Sequence, residues 1–254
     1  MRHIIIGDTH GCIDELRCLL EEVHPKISDR LYFIGDLIDR GPDSAGTVKY
    51  VRKLAEKYRT TLILGNHEEK FLRYLDHFRT GTEALKKMKG VETYARLVEE
   101  LDEDDIRFLA NSFINYNIPE ENSLLLHGGI PGNCQIDLSI NHAYSPHVLK
   151  SQKGLDLILK TRFLDCEGNF VSLGSEGADS RFWAETYDGR FGRIFFDHHA
   201  VTGEKPVCYP FAVNLDTGCV FGGHLTASIL ENGQVHFKSV KAFKMYSIPS
   251  GNGS

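Results

Sequence analysis

No C-x-x-C pair occurs among the six cysteines, which are scattered at positions 12, 18, 134, 166, 208 and 219. That spacing excludes a disulfide frame or a zinc knot as the basis of the fold and predicts reduced thiols in a reducing compartment. No run approaches the roughly 18 apolar residues of a membrane span. A strand begins by His3, leaving no room for the charged and apolar regions of a secretory leader. A soluble cytoplasmic protein without a membrane partner is the expectation. Excess positive charge is also missing: 29 Lys and Arg face 35 Asp and Glu, a formal net charge of −6. A bulk nucleic-acid binder would carry a basic surface, so that class is set aside, although a local pocket of a few arginines stays compatible. Internal repeats and low-complexity segments are absent, and only Ser250-Gly251-Asn252-Gly253-Ser254 reads as frayed.

What is present is a set of apolar runs that stop abruptly at polar residues. His3-Ile4-Ile5-Ile6 meets Gly7-Asp8-Thr9-His10-Gly11, and Leu31-Tyr32-Phe33-Ile34 meets Gly35-Asp36-Leu37-Ile38-Asp39-Arg40-Gly41. Thr61-Leu62-Ile63-Leu64 meets Gly65-Asn66-His67-Glu68. Ser123-Leu124-Leu125-Leu126 meets His127-Gly128-Gly129, and Arg193-Ile194-Phe195-Phe196 meets Asp197-His198-His199. Carboxylates and imidazoles at the same end of several buried strands are costly to place unless they share a task.

The spacing around those runs predicts alternating strands and helices over the first 68 residues. Ile13, Leu16, Leu19, Leu20 and Val23 fall on one helical face, closed by His24-Pro25, and Thr47, Val48, Val51, Leu54 and Ala55 repeat the pattern. Two such units imply parallel strands with right-handed crossovers. Residues 69–122 read as a helical cap closed by Pro119, with helices near Thr93–Glu100 and Asp104–Asn111. The acidic run 102–105 there suits a helix start and needs no further role. Residues 133–190 read as a loop-rich, substrate-side segment with a helix near 151–160. Strands are expected at Phe211–Leu215, Cys219–Phe221, Leu225–Leu230 and Val235–Val240, the last pair joined by an Asn232-Gly233 turn. They are expected to form a second, more antiparallel sheet. One domain over 1–254 is the expectation.

Hydrolysis of a phosphate ester needs a nucleophile made from water, charge relief on the phosphoryl oxygens and a proton for the leaving group. Two cations about 3.5–4 Å apart supply the first two. Asp8 and His10 can reach one ion from a strand-end turn, and Asp36 on the neighbouring strand is placed to bridge. Asn66, His127 and His198 offer oxygen and nitrogen to the second ion. Mixed O/N ligation without thiolate favours two divalent ions of manganese, iron or zinc over calcium. His67 remains as general acid, Asp39 as the group that orients it, and Arg40 and Arg162 as grips for the phosphate. Trp183 and the histidines outside these blocks read as packing or surface residues.

The blocks Gly-Asp-x-His-Gly, Gly-Asp-x-x-Asp-Arg-Gly, Gly-Asn-His-Glu and His-Gly-Gly, in this order, resemble the phosphoprotein phosphatase (PPP) branch of the calcineurin-like metallophosphoesterases. The resemblance spans residue 3 to about 230. It implies a four-layer αββα sandwich of two mixed sheets flanked by helices, a dinuclear centre with manganese as the first expectation, and direct attack by a metal-bound hydroxide. The roles given above to Asp8, His10, Asp36, Asp39, Arg40, Asn66, His67, His127, Arg162 and His198 are those of the matching positions. The fifth block departs from the usual apolar-Gly-His-Thr: Asp197 stands at the glycine, and His199 rivals His198 as ligand. His224 reads as a surface or substrate-edge residue. The markers of eukaryotic Ser/Thr phosphatases are missing, whereas Asn214–Gly223 and Phe182–Gly189 resemble bacterial members, with symmetrical diadenosine tetraphosphatases nearest, although these tend to have Asp at Glu68. The expected substrate is a phosphorylated small molecule, a nucleotide or a phosphoprotein. A Ser/Thr or broad-specificity phosphatase is the first reading, a bis(5'-nucleosyl)-tetraphosphatase or nucleotide pyrophosphohydrolase the alternative, and a silent phosphate-binding scaffold the third.

Overall fold

A computed structural model describes residues 1–249, so the tail expected to fray, 250–254, lies outside the described residues. Strands β1 (His3–Ile6), β2 (Arg30–Phe33) and β3 (Arg59–Leu62) are parallel neighbours. Helices α1 (Ile13–Val23) and α2 (Ser44–Lys57) form the crossovers. The chain then enters α3 (Asn66–Thr80), α4 (Tyr94–Glu100) and α5 (Glu103–Ala110). The acidic run serves α5 as expected, because Asp102 and Asp105 cap its first turn reciprocally. The segment expected as a cap is helical only to Ala110, since β4 (Phe113–Ile118) returns to pair with β5 (Ser123–Leu126).

After β6 (His142–Ala143), the helix expected near 151–160 is instead α6 (Pro146–Ser151) followed by a 3-10 turn over Leu155–Leu159. Gly154, at φ 90°, breaks the two apart. A small sheet of β7 (Phe163–Leu164), β8 (Phe170–Val171) and β9 (Arg181–Phe182) follows, then α7 (Trp183–Thr186). Three strands complete the second large sheet with β4, β5 and β6: β10 (Arg193–Phe196), β11 (Val207–Cys208) and β12 (Ala212–Asn214).

Two expectations for the tail are corrected here. Cys219–Phe221 is a 3-10 turn and not a strand, because Gly218 and Gly222 on either side both take left-handed backbone. The final hairpin, β13 (His224–Glu231) and β14 (Gln234–Lys241), joins the first sheet by pairing β13 antiparallel to β1. Asn232 and Gly233 both have positive φ, the backbone that a two-residue hairpin turn of the twisted kind requires. The larger sheets are therefore β14-β13-β1-β2-β3 and β11-β12-β10-β5-β4-β6.

Alternation along the strands explains how the layers stack. Ile4 and Ile6 of β1, with Leu31 and Phe33 of β2, face the core beneath α1 and α2. Leu124 and Leu126 of β5, with Ile194 and Phe196 of β10, face the opposite helical side. The residues between them, Ile5, Tyr32, Leu125 and Phe195, meet in the middle and glue the two sheets face to face. The result is the expected mixed α/β sandwich with helices outside both sheets. Among the described residues no helix is long and apolar enough to cross a membrane, and all six cysteines are free.

Candidate dinuclear metal centre

Five strand ends converge on one edge of this sandwich, contributed by β1, β2 and β3 from one sheet and β5 and β10 from the other. Their side chains form two donor groups, His10-Asp36-His67 and Asp36-His127-His198, which share Asp36. Asp36 Oδ2 lies 3.5 Å from His10 Nε2, 3.4 Å from His127 Nε2 and 3.8 Å from His67 Nε2. Asp8 joins from the side, with Oδ2 3.8 Å from His10 Nε2 and Oδ1 3.6 Å from His127 Nδ1. Asn66 Oδ1 lies 3.0 Å from His127 Nε2. The structure thus brings together all six residues expected as ligands.

The backbone is bent to achieve this. His10, Asp36, Asp39, Arg40 and His198 all have positive φ, a conformation that non-glycine residues adopt at an energetic cost. Gly35 precedes Asp36 at φ 107°, where a Cβ would meet His127 Nδ1 at 2.5 Å. Only glycine lets the second strand end pass beneath the fourth.

Hydrogen bonds fix which ring atoms face the centre. The Nδ1 of His10 donates to the Ile38 carbonyl at 2.9 Å, and that of His127 to the Ile34 carbonyl at 2.9 Å. Each leaves Nε2 with its lone pair directed inward, the usual support of a metal-binding imidazole. Burial lowers the pKa of His10 to about 3 against the pull of Asp36. Burial and the Arg162 charge also hold His198 well below its ordinary value. Both shifts favour the neutral imidazole, which keeps a ring lone pair for a cation.

Burial and neighbouring carboxylates push Asp8 up, Asp197 first among them. Burial again, followed by Asp216, pushes Asp197 up. Asp36 stays well below the ordinary range because His127, His67 and His10 outweigh its burial. Asp8 Oδ1, His198 Nε2 and both Asp197 oxygens are buried with no hydrogen-bond partner. Buried orphan donors and crowded carboxylates are expensive without a counter-charge. Two divalent cations held by Asp8, His10, Asp36, Asn66, His127 and His198 would supply that charge, so the donor set fits them.

Around the ligands sit the groups suited to act on a substrate. His67 Nδ1 donates to Asp39 Oδ2 at 2.8 Å, leaving Nε2 toward Asp36. Burial alone would raise the Asp39 carboxyl, but its hydrogen bond to His67 and that ring's charge hold it at about 2. Arg40 is exposed, with one guanidinium nitrogen 2.9 Å from His10 Nε2. Arg162 is half-buried and donates to the His198 carbonyl at 2.8 Å. It makes no ion pair among the described residues, so its charge is uncommitted.

The fifth strand end turns the two rival histidines in different directions. His198 turns toward His127, their ring centroids 5.0 Å apart. His199 points away into an aromatic cluster, 4.7 Å from Phe182 and 5.8 Å from Phe163. Asp197 fills the space over Gly7, where a Cβ would meet its carboxylate at 3.1 Å. His224 bonds the Gly203 carbonyl at the start of β13, and Trp183 is buried in the second core. The sequence did not reveal what Glu68 does. Its fully buried carboxylate accepts from the backbone N–H of Asp36, Leu37, Ile38 and Gly65 at 2.8 to 3.2 Å, clamping the Asp36 loop. Its place at the end of the Gly-Asn-His-Glu block was the one available signal.

Known proteins resemble this chain in sequence and fold. The calcineurin-like phosphoesterase profile matches residues 1–227. The asymmetrical bis(5'-nucleosyl)-tetraphosphatase PrpE of Oceanobacillus iheyensis is 34% identical over 242 aligned positions, covering 89% of this chain and 88% of its own. A symmetrical bis(5'-nucleosyl)-tetraphosphatase of Pseudomonas entomophila is 26% identical over 272 positions, covering 91% of each chain. A crystal structure provisionally named for a diadenosine tetraphosphatase superposes with a TM-score of 0.72 at 27% identity, covering 95% of this chain and 94% of that one.

Proposed function

Because the chain belongs to the calcineurin-like phosphoesterase family, and is thus a metallophosphoesterase acting on phosphoester or phosphoanhydride bonds, we propose that it hydrolyses bis(5'-nucleosyl) tetraphosphates. The observation that carries the chemistry is Asp36, placed between two donor groups that share it. The choice of substrate is supported by the names of the relatives, asymmetrical and symmetrical alike.

When bound, two divalent ions at that site supply a nucleophile from water at neutral pH and neutralise the phosphoryl oxygens. Manganese is the ion we propose, with iron or zinc as alternatives, since the donors are oxygen and imidazole nitrogen. Arg40 and Arg162 flank the centre and bind the non-bridging oxygens of the phosphoryl group under attack. A water oxygen forms the new bond to phosphorus as the bridging P–O bond breaks, and one proton of that water passes to solvent, from which His67 is later reprotonated. His67 gives its Nε2 proton to the departing oxygen, and Asp39 keeps the other ring nitrogen protonated so that Nε2 is the atom that exchanges. Glu68 holds the Asp36 loop in place throughout. The free thiols support a cytoplasmic setting.

The acid pair favours a second reading, a broad or Ser/Thr-directed phosphomonoesterase, because an alkoxide leaving group needs the His67 proton more than a nucleotide phosphate does. Purified protein with added Mn²⁺ decides between them on a panel of diadenosine tetraphosphate, phosphoserine and phosphotyrosine peptides, an aryl phosphate and inorganic polyphosphate. Preference for the dinucleotide by kcat/KM is the expected result. Turnover of the peptides alone would sink the proposal.

A further inference from the structure

Beside the metal centre, a groove of about 680 Å³ runs between α3, α6 and the turn at Leu155–Leu159. Asn66 is the one metal-centre residue that lines it. From there Lys70, Arg73 and His77 follow at helical spacing along one face of α3, so the groove leads straight away from the centre. At ~1.5 Å rise per residue, Arg73 lies about 10 Å beyond Asn66 along the helix.

Cationic side chains outnumber carboxylates along this groove. Five cationic side chains line it (Lys70, Arg73, Lys150, Lys153 and Lys160) against three carboxylates, Glu69, Asp76 and Asp156. The groove is therefore net positive on a chain whose formal charge is −6. Arg73 pairs with Glu69 and Lys160 with Asp156. Lys150 and Lys153 are exposed and carry no ion pair among the described residues. An apolar floor of Leu72, Tyr144, Leu149 and Leu159 lies under these charges. A cationic rim over an apolar floor, opening from a phosphoryl-transfer centre, matches a ligand with several phosphates and a flat organic group.

We propose that this groove binds the distal nucleoside phosphate portion of the substrate, with Lys150 and Lys153 as polyphosphate-recognising residues and the apolar floor under the nucleoside. The proposal deepens the nucleotide reading of the site and rests on it for the identity of the ligand.

The test is the Lys150→Glu/Lys153→Glu double variant, loaded with Mn²⁺ and compared with the wild-type holoenzyme. Its KM for diadenosine tetraphosphate is expected to rise about tenfold relative to its KM for p-nitrophenyl phosphate, which is too small to reach the groove. Lys150→Gln/Lys153→Gln should shift it less and in the same direction. An unchanged KM ratio in both variants overturns the groove, as does a KM change for phosphopeptide and none for the dinucleotide. If wild-type protein hydrolyses no dinucleotide at all, the functional reading fails by itself. Calorimetric binding of inorganic tripolyphosphate then decides the groove, which stands if the double variant weakens binding about tenfold and falls if both proteins bind alike.

Discussion

The Nδ1 atom of His67 lies 2.8 Å from Oδ2 of Asp39, across 28 residues of sequence and from the N-terminus of α3 to the loop after β2. The contact sets the proton of one nitrogen so that the other is available to a leaving group. Asp39→Asn should lower kcat by about 10²-fold on an alkyl phosphate, the scale of a lost acid catalyst. The loss should be smaller on p-nitrophenyl phosphate, whose leaving group needs no proton. Equal losses on both would remove His67 from the acid role.

Asp36 faces imidazoles of both donor groups, so its loss should empty both sites together. Elemental analysis of dialysed Asp36→Asn is expected to show fewer than about one ion per chain, against about two for wild type. Retention of both ions would show that the bridge is unnecessary.

Glu68 satisfies four backbone N–H groups at once. Glu68→Ala strands those donors in a buried loop and should cost about 2–4 kcal/mol in denaturant unfolding. A cost within experimental error would mean that water or a shifted loop replaces the carboxylate.

Far from the centre, Arg2 grips buried Asp29 with two guanidinium nitrogens, at 3.1 and 2.6 Å. Burial opposes ionisation there, but Arg2 and the Lys26 N–H win and hold the carboxyl below its ordinary 3.8. A depressed folded pKa adds stability that is complete above the unfolded value and lost as pH falls through the folded one. Thermal melts should therefore show Asp29→Asn less stable at neutral pH, with the gap to wild type closing only below about pH 4. A gap that does not change with pH would contradict this.

The buried carboxylate of Asp197 stands beside that of Asp8 and, after burial itself, pushes its pKa up. In EDTA, Asp197→Asn should melt above wild type, by relief of repulsion between the buried carboxylates. Added Mn²⁺ should narrow the difference. A lower melting point in EDTA would show that the carboxylate is held by contacts of its own.

How much of this was legible in the sequence depended on distance along the chain. The blocks containing Asp8, Asp36, Asn66 and His127 announced themselves because a polar residue directly ends an apolar run, a local pattern. The alternation of Ile4-Ile5-Ile6 fixed a strand but could not say that Ile5 would meet Leu125 and Phe195 across two sheets. The hairpin of β13 and β14 was readable from Asn232-Gly233, whereas its partner was not, because pairing with β1 spans over 200 residues. The role of Glu68 was not legible, since nothing local shows that it caps a loop 30 residues upstream. The strand pattern favoured His198 over His199, and the aromatic cluster around Phe182 gives the second ring somewhere else to go.

The donors come from both layers of the sandwich: Asp8, His10, Asp36 and Asn66 follow strands of one sheet, and His127 and His198 follow strands of the other. Ions seated among them would act as rivets through a laminate whose halves otherwise adhere by the apolar seam and a few hydrogen bonds such as that from His127 to the Ile34 carbonyl. Sliding one sheet over the other would tear the coordination before it disturbed either sheet. The spacing of two ions held there would depend on how Ile5, Tyr32, Leu125 and Phe195 stack, and a change of side-chain thickness in that remote seam would be felt as a change of gauge among the donors.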